Sequence, residues 1–284
     1  MTASRRAYPA PLTLLWELVT GRRAVEHSGP LLGTFVRLPA PLRDAVRWIL
    51  RPRRRFLFGR LRALSRDRVL SGPFAGMHLT GQPAAPELLG TYERELFDVV
   101  RELASRPFRT LINLGARYGY YAVGLARLMP AVKVTAFEGN DEARAQLESA
   151  AEANGVRDRV TVAGYCEVTD LAAALETDGG VLVVCDIDGG EVALLDPQRV
   201  GALTRATILV ECHGPAESPT GPVMEHRFLP THDVRRFAVE ERVLSHLAAG
   251  VAEPWRSRMP RTLEALMQEH RTLPQSWLLL TPRG

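Results

Sequence analysis

Apolar residues occur along most of this chain in two alternating patterns. Short continuous apolar runs, typical of strands buried on both faces of a sheet, alternate with stretches whose apolar residues recur every three or four positions, as in helices. The alternation predicts an α/β fold in which a mostly parallel sheet carries helices on both faces. The predicted strands cover residues 110–114, 132–137, 160–163, 181–185 and 207–211, with two more at 234–239 and 276–280, and the predicted helices cover residues 87–104, 120–128, 141–154 and 171–175.

The beginning of the chain departs from this alternation. Residues 1–71 contain six prolines and only short apolar pieces, which predicts a helical N-terminal extension ahead of a main domain over residues 72–284. Within the extension, residues 42–50 have one apolar helix face, which could pack on the main domain, cover its site or join two copies in a homo-oligomer. Residues 72–86 carry glycine and proline turns that predict a short hairpin.

A glycine turn follows the first predicted strand. Gly115 and Gly119 lack a β-carbon, so the backbone can bend sharply toward a ligand, and the next helix directs unpaired N–H groups at it. Glu138 follows the second predicted strand, where a carboxylate can accept hydrogen bonds from both hydroxyls of a ribose. The turn lacks the three glycines of a dinucleotide site, so a pyrophosphate is a poor candidate. S-adenosylmethionine has a ribose and an adenine without phosphate, and we expect this cofactor.

Four short segments follow one another at the ends of the predicted strands. They are Asn113-Leu-Gly-Ala-Arg-Tyr-Gly-Tyr-Tyr, Ala136-Phe-Glu-Gly-Asn, Cys185-Asp-Ile-Asp-Gly-Gly-Glu and Val210-Glu-Cys-His. In this order they resemble signature segments of the FkbM-type S-adenosylmethionine-dependent methyltransferases. The resemblance covers the chain from about residue 72 onward. It implies a Rossmann-like class I methyltransferase domain over residues 72–284, with a C-terminal hairpin that completes the sheet.

Two positions depart from the family pattern. The family usually has an acidic residue at position 113, where it meets the methionine ammonium of the cofactor, and the neutral Asn113 would hold that group less firmly. It usually has Asn at position 117. A guanidinium beside a sulfonium is repulsive, so Arg117 either faces outward or pairs with a carboxylate. The expected cofactor-binding residues are Asn113, Gly115, Ala116, Tyr118, Gly119, Glu138, Gly164, Tyr165 and Asp186.

Acidic residues and one histidine follow the fourth and fifth predicted strands. Because parallel strands end at one edge of the sheet, Asp186, Asp188, Glu191, Glu211 and His213 are expected to converge there. In one interpretation, His213 or Asp186 is a general base that takes a proton from the methyl acceptor, with Glu211 as a further catalytic residue.

Two other interpretations of this cluster stay open. A divalent metal could be held by Asp186, Asp188, Glu211 and His213, although we do not favour it because the spacing matches no stringent ligand motif. In a purely structural interpretation, acidic side chains cap the helix after the two glycines at positions 189 and 190, and the histidine is an ordinary turn residue. For Glu191 we favour the capping role.

The charge and cysteine content limit the location and the partners of the protein. The formal charge is +4, and the basic residues are arginines except for Lys133. Nine of them lie in a short region where they could bind phosphates, an acidic carrier protein or a membrane surface, although a solvated helix face is the favoured interpretation. They are not interleaved with an aromatic platform of the kind that single-stranded nucleic acid stacks on, so we do not expect nucleic acid as a partner. The nine are Arg47, Arg51, Arg53, Arg54, Arg55, Arg60, Arg62, Arg66 and Arg68.

The sequence has three cysteines without a disulfide spacing, and it has no apolar run long enough to cross a bilayer. Both features predict a cytoplasmic protein. The sequence as a whole predicts methylation of an oxygen on a small metabolite or sugar-like acceptor, as in secondary metabolism. One alternative is a non-catalytic protein that keeps the fold and serves as a partner-binding module. Others are an enzyme that uses the same cofactor for different chemistry and an RNA methyltransferase guided by the arginine-rich region.

Overall fold

The computed structural model describes residues 56–213, 220–269 and 275–283. The predictions for residues 1–55, which include the apolar helix face at 42–50 and five of the nine clustered arginines, lie outside the described residues. Of the other four arginines, Arg62 pairs with Asp67 at 2.6 Å and Arg68 donates to the carbonyl oxygen of Gly76 at 2.9 Å. None of the described helices is both long and apolar enough to cross a membrane.

A single seven-stranded sheet forms the centre of the protein. Its order is β3-β2-β1-β4-β5-β7-β6, in which the first five strands are parallel and β7 runs antiparallel to both of its neighbours. The predicted mostly parallel sheet and its closing hairpin are therefore confirmed. The strands are β1 Phe108–Leu114, β2 Lys133–Phe137, β3 Val160–Ala163, β4 Gly180–Cys185, β5 Thr207–Cys212, β6 His232–Ala238 and β7 Ser276–Pro282.

Helices cover both faces of this sheet. Adjacent residues of β1 point to opposite faces, and Leu111 and Ile112 accordingly belong to two separate apolar clusters. Leu61 and Val69, which lie in the predicted extension, are buried in the first of these clusters. The helices are α1 at residues 56–65, α2 Ala85–Leu89, α3 Phe97–Ala104, α4 Tyr120–Leu128, α5 Asp141–Ala153, α6 Val168–Leu175, α7 Glu191–Leu194, α8 Thr220–Phe228, α9 Glu253–Arg258 and α10 Pro260–Met267.

The long helix predicted over residues 87–104 is wrong as a single element. Helix α2 ends at Gly90, which has a φ of 72°, and Glu93 has a φ of 48° before a short 3₁₀ turn leads into α3. A β-carbon on Gly90 would lie 2.0 Å from the carbonyl oxygen of Ser71. The helix is thus broken because the preceding segment packs against its backbone, a tertiary contact that helical periodicity does not reveal.

The hairpin predicted over residues 72–86 is also wrong in its extent. One antiparallel bridge joins Arg68 to His78, so one side of the pairing precedes the predicted segment. Residues 85 and 86 already belong to α2. The glycine turns were recognised correctly, since Gly72, Gly76 and Gly81 all have positive φ angles.

Candidate active site

The polar residues predicted at the strand ends surround one opening at the carboxyl edge of the parallel strands. A cavity of about 640 Å³ opens there, within the range typical of cofactor sites. Gly115, Glu138, Tyr165 and Asp186 line it, as the prediction of a cofactor site at these positions requires. The other predicted cofactor residues are not among the described residues of its wall; they are Asn113, Ala116, Tyr118, Gly119 and Gly164.

Part of the cavity lining is apolar. It consists of Phe137, Val168, Ile187 and Leu194, which we call the apolar wall, and Tyr165, whose side chain is exposed, also lines the cavity. These apolar residues are not recognisable as part of a site from the sequence, because an apolar residue at a strand end has the same local pattern whether it faces the core or a cavity. An apolar wall together with an aromatic ring is suited to a flat heterocycle.

Glu138 is held at the mouth of the cavity by backbone N–H groups. Its Oε2 accepts a hydrogen bond from the backbone N–H of Arg117 at 2.7 Å, and its Oε1 accepts one from Asn140 at 2.8 Å. A carboxylate has about four acceptor positions, so two stay available for a ligand. Glu138 is therefore fixed in orientation while it keeps the capacity to bind a pair of hydroxyls.

Gly115 allows the ends of β1 and β4 to approach closely. Its φ is 74°, and a β-carbon there would lie 1.8 Å from the carbonyl oxygen of Asp186. The N–H groups of Gly115 and Ala116 donate to the carbonyl oxygen of Phe137 at 3.0 and 2.9 Å. The turn after β1 is thus tied to β2 and pressed against β4, which brings Asp186 to the cavity.

Arg117 lines the cavity and pairs with a carboxylate, which is the second of the two alternatives predicted for it. Its side chain is 62% exposed, and its Nη1 lies 3.7 Å from Oε1 of the buried Glu87. The guanidinium carbon lies 4.6 Å from the centre of the Tyr118 ring, a cation–π distance. The charge is directed at a carboxylate and an aromatic face.

Tyr118 in the turn and Asn113 near the end of β1 are both buried. The Tyr118 hydroxyl donates to the carboxylate of Glu87, and burial raises the pKa of Glu87 in spite of this hydrogen bond. The side-chain amide of Asn113 donates to the carbonyl oxygen of Val184 at 3.3 Å. Its Oδ1 is buried without a hydrogen-bond partner among the described residues.

The ring of His213, just past β5, is surrounded by four carboxylates. Its Nδ1 lies 2.7 Å from Oε1 of Glu191. Its Nε2 lies 3.3 Å from Oε2 of Glu211 and 3.6 Å from Oδ1 of both Asp186 and Asp188. His213, Glu191 and Glu211 are buried, whereas the side chain of Asp188 is 95% exposed. The predicted convergence of these five residues is confirmed.

The close carboxylates set the protonation of the ring. Burial alone would lower the pKa of His213, but the hydrogen bond with Glu191 and the negative charges of Asp186 and Asp188 raise that pKa above its ordinary value. Burial likewise opposes ionisation of Glu191, yet its hydrogen bonds with His213 and with the backbone N–H of Gly189 lower its pKa. Glu191 and His213 therefore stabilise each other as an ion pair.

Glu191 has a different place from the one favoured in the sequence. It is the first residue of α7, and no side chain caps that helix at Gly190. The Glu191 carboxylate turns instead to His213 and to the N–H of Gly189, 3.1 Å away. A contact across 22 residues leaves no trace in local spacing, although the order of strands four and five could have suggested it.

Ligand atoms suited to a cation are close together at this edge. One atom each from Asp186, Glu211 and His213 lie within 4.8 Å of one another. Asp186 also lines the cavity described above. A cofactor-sized cavity and a carboxylate–imidazole cluster thus share one residue.

The comparisons with known proteins agree with this architecture at the level of fold. No protein-family model matches the chain, and no curated protein sequence matches it. Among solved structures, the delta-N METTL16 methyltransferase domain is 16% identical, with 80% of this chain and 97% of that chain covered and a TM-score of 0.50. The protein therefore has the Rossmann-like methyltransferase fold.

Two further structures show a weaker similarity. One is a SAM-dependent methyltransferase from Geobacter sulfurreducens in complex with S-adenosyl-L-homocysteine, 15% identical, with 79% of this chain and 98% of that chain covered and a TM-score of 0.42. The other is the O-methyltransferase TomG from Streptomyces achromogenes in complex with SAM, 15% identical, with coverages of 72% and 92% and a TM-score of 0.41.

Proposed function

We propose that this protein is an S-adenosylmethionine-dependent methyltransferase of the FkbM type, which methylates an oxygen of a small metabolite or sugar-like acceptor. The observation that carries the proposal is the position of Asp186, which lines the cofactor-sized cavity and lies 3.6 Å from the ring of His213. A methyl donor in the cavity and an acceptor at the carboxylate–imidazole cluster would therefore be neighbours.

The residues around the cavity fit an adenosyl cofactor. Glu138 keeps two acceptor positions for the ribose hydroxyls, and the apolar wall beside Tyr165 suits an adenine. Asn113 does not line the cavity, so a contact between its buried Oδ1 and the methionine ammonium rests on the family resemblance alone. Such an amide oxygen would give a weaker bond to an ammonium than the carboxylate usual in the family.

The bound cofactor supplies a methyl group that its sulfonium already activates toward nucleophiles. The protein then has to align the acceptor, exclude water and assist loss of the hydroxyl proton. We assign the last task to Asp186, Glu211 and His213, because two of them are buried, all three face each other, and Asp186 borders the cavity. The neighbouring carboxylates raise the pKa of His213, so the ring can accept this proton only when the pH is above that pKa.

The proposal is tested by binding before activity. Calorimetric titration with S-adenosylhomocysteine should show saturable 1:1 binding, and S-adenosylmethionine should raise the melting temperature. ATP should bind more weakly, since the turn lacks the glycines of a phosphate site. Transfer of a labelled methyl group to hydroxyl-bearing metabolites would then identify the acceptor. Absence of any heat and of any thermal shift with both adenosyl compounds would overturn the assignment.

Several predictions made for the whole chain are retained as part of this proposal. They are a domain boundary between residues 71 and 72, a cytoplasmic location, a role in secondary metabolism and a homo-oligomer formed through the N-terminal extension. No second function is proposed, because the arginines that would guide an RNA methyltransferase or bind a partner lie mostly outside the described residues.

A further inference from the structure

We propose that Asp186, Glu211 and His213 form a binding site for one divalent transition-metal cation. The inference deepens the proposed function and rests on it for the purpose of the ion, which would bind the acceptor hydroxyl and lower its pKa. The existence of the site rests on geometry alone and can be tested without a methyl acceptor.

The distances around the imidazole fit an inserted ion. Oxygen and nitrogen ligands lie about 2.0–2.2 Å from such an ion, so two neighbouring ligands are separated by about 3.0–3.5 Å. Nε2 of His213 lies 3.3 Å from Oε2 of Glu211 and 3.6 Å from Oδ1 of Asp186. The second separation is too long for a hydrogen bond but close to a ligand–ligand distance.

The other nitrogen of the ring is already fixed as a metal ligand requires. A ligating histidine usually donates its second N–H to a carboxylate, which selects the tautomer and orients the ring. Nδ1 of His213 lies 2.7 Å from Oε1 of Glu191, a fully buried residue that itself accepts the N–H of Gly189. This arrangement leaves Nε2 as the atom directed at Glu211 and Asp186.

The carboxylates around the ring outnumber the positive charge that it can carry. Glu191 contacts the Nδ1 side of the ring, so it orients the ring and does not face an ion at Nε2. The ring carries at most one positive charge, while four carboxylates lie within 3.6 Å of it.

The donor set indicates the class of ion. Carboxylate oxygens suit Mn²⁺, Mg²⁺ and Ca²⁺, whereas imidazole favours transition metals over the alkaline earths. A mixed set of two carboxylates and one imidazole therefore favours an ion such as Mn²⁺. Three protein ligands leave coordination positions open, and Asp186 places the ion beside the cavity. The exposed Asp188 borders the same ring and is available as a further ligand.

The decisive experiment measures metal binding by the full-length protein after dialysis against EDTA. Calorimetric titration with MnCl₂, together with the electron paramagnetic resonance of bound Mn²⁺, should show one saturable site. Asp186→Asn, Glu211→Gln and His213→Gln should each weaken Mn²⁺ binding by tenfold or more. Asp178→Asn, the same chemical change at an exposed residue ahead of β4, should leave the affinity unchanged. Glu191→Gln keeps all three ligands and should weaken binding by about 10–100-fold.

Each outcome decides the proposal. No 1:1 binding by the wild-type protein, or equal affinities in wild type, Asp186→Asn and His213→Gln, would overturn it. S-adenosylhomocysteine binding by Glu211→Gln shows that the variant is folded, so a lost metal site is not mistaken for unfolding. Mn²⁺ binding without S-adenosylhomocysteine binding would overturn the proposed function and keep the metal site. S-adenosylhomocysteine binding without Mn²⁺ binding would overturn the metal site and keep the proposed function.

Discussion

Nδ1 of His213 and Oε1 of Glu191 lie 2.7 Å apart, and this contact joins the segment after β5 to the start of α7. Both side chains are buried, so water does not screen the interaction. The contact fixes the ring while its Nε2 faces Glu211, Asp186 and Asp188. The orientation of the only histidine in the cluster thus depends on a residue outside the predicted catalytic set.

Replacing Glu191 by Gln should lower the pKa of His213. In the native protein burial opposes the charged ring, and the hydrogen bond and charge of Glu191 are among the causes that raise its pKa above 6.5. The neutral amide keeps the shape but removes the charge. NMR titration of the His213 ring in metal-free protein measures the change. Asp188→Asn is the matched control, and its effect should be smaller because Asp188 is exposed and more distant.

The same pair should affect the pH dependence of stability. The raised pKa of His213 gives stability that is present below pH 6.5 and is lost as the pH rises through the folded value. The lowered pKa of Glu191 gives stability that is present above pH 4.5 and is lost as the pH falls through its folded value. In urea unfolding, Glu191→Gln should lower the free energy of unfolding most between the folded pKa of Glu191 and the folded pKa of His213. A loss of stability that is constant from pH 4 to 9 would contradict the ion pair.

Glu138→Ala should weaken the binding of S-adenosylhomocysteine. The substitution removes the acceptor for two ligand hydroxyls and also releases the N–H groups of Arg117 and Asn140. Hydrogen bonds to a charged group contribute about 1.5–3 kcal/mol each, so the dissociation constant should rise at least tenfold. Calorimetry measures it, with Glu142→Ala on the exposed face of α5 as the control for loss of one negative charge. Equal affinities of the two variants would remove Glu138 from the cofactor site.

Gly115→Ala should destabilise the fold by about 2 kcal/mol or more, because the residue has a φ of 74° and its new β-carbon would meet the Asp186 carbonyl oxygen. Gly201→Ala is the control, since nothing lies within 4 Å of a β-carbon built there. Denaturant unfolding of both variants gives the comparison. If both variants unfold at the same denaturant concentration as the wild type, the close approach of Gly115 to the backbone of Asp186 is wrong.

The strands were predictable because their cause is local. A strand buried on both faces needs a continuous apolar run, and the observed bounds of β3 agree with the prediction while those of β4 and β5 differ by one residue at one end. The convergence of Asp186, Glu211 and His213 followed from the shared direction of parallel strands. These features depend on composition and topology, which a single sequence carries.

The features that were missed depend on contacts between distant segments. Gly90 ends α2 because the backbone of Ser71 lies against it, and the buried Glu87 is held by Tyr118, 31 residues later. Glu191 has the residue type and position of a helix cap, and only the fold shows that its carboxylate turns to His213. Local pattern sets the elements, whereas these side chains take their roles from packing between elements.

Glu269 gives a further prediction, at a buried charge network away from the cavity. Burial raises the pKa of Glu269 to about 7, even though Arg242 favours its ionised form. A carboxyl with a folded pKa above its unfolded value of 4.5 stabilises the protein at low pH, and this stability is lost as the pH rises toward 7. A pKa shift of this size corresponds to a change in the free energy of unfolding on the order of 3 kcal/mol.

Glu269→Gln should therefore become more favourable relative to the wild type as the pH rises from 5 to 8.5. The amide oxygen can still accept hydrogen bonds from Arg242 and from the N–H of Glu93, while the cost of a buried ionised group disappears. Urea unfolding at both pH values gives the difference, with the exposed Glu152→Gln as a control that should show no such trend. A difference between variant and wild type that is the same at pH 5 and 8.5 would show that Glu269 is ionised throughout this range, and that Arg242 outweighs burial.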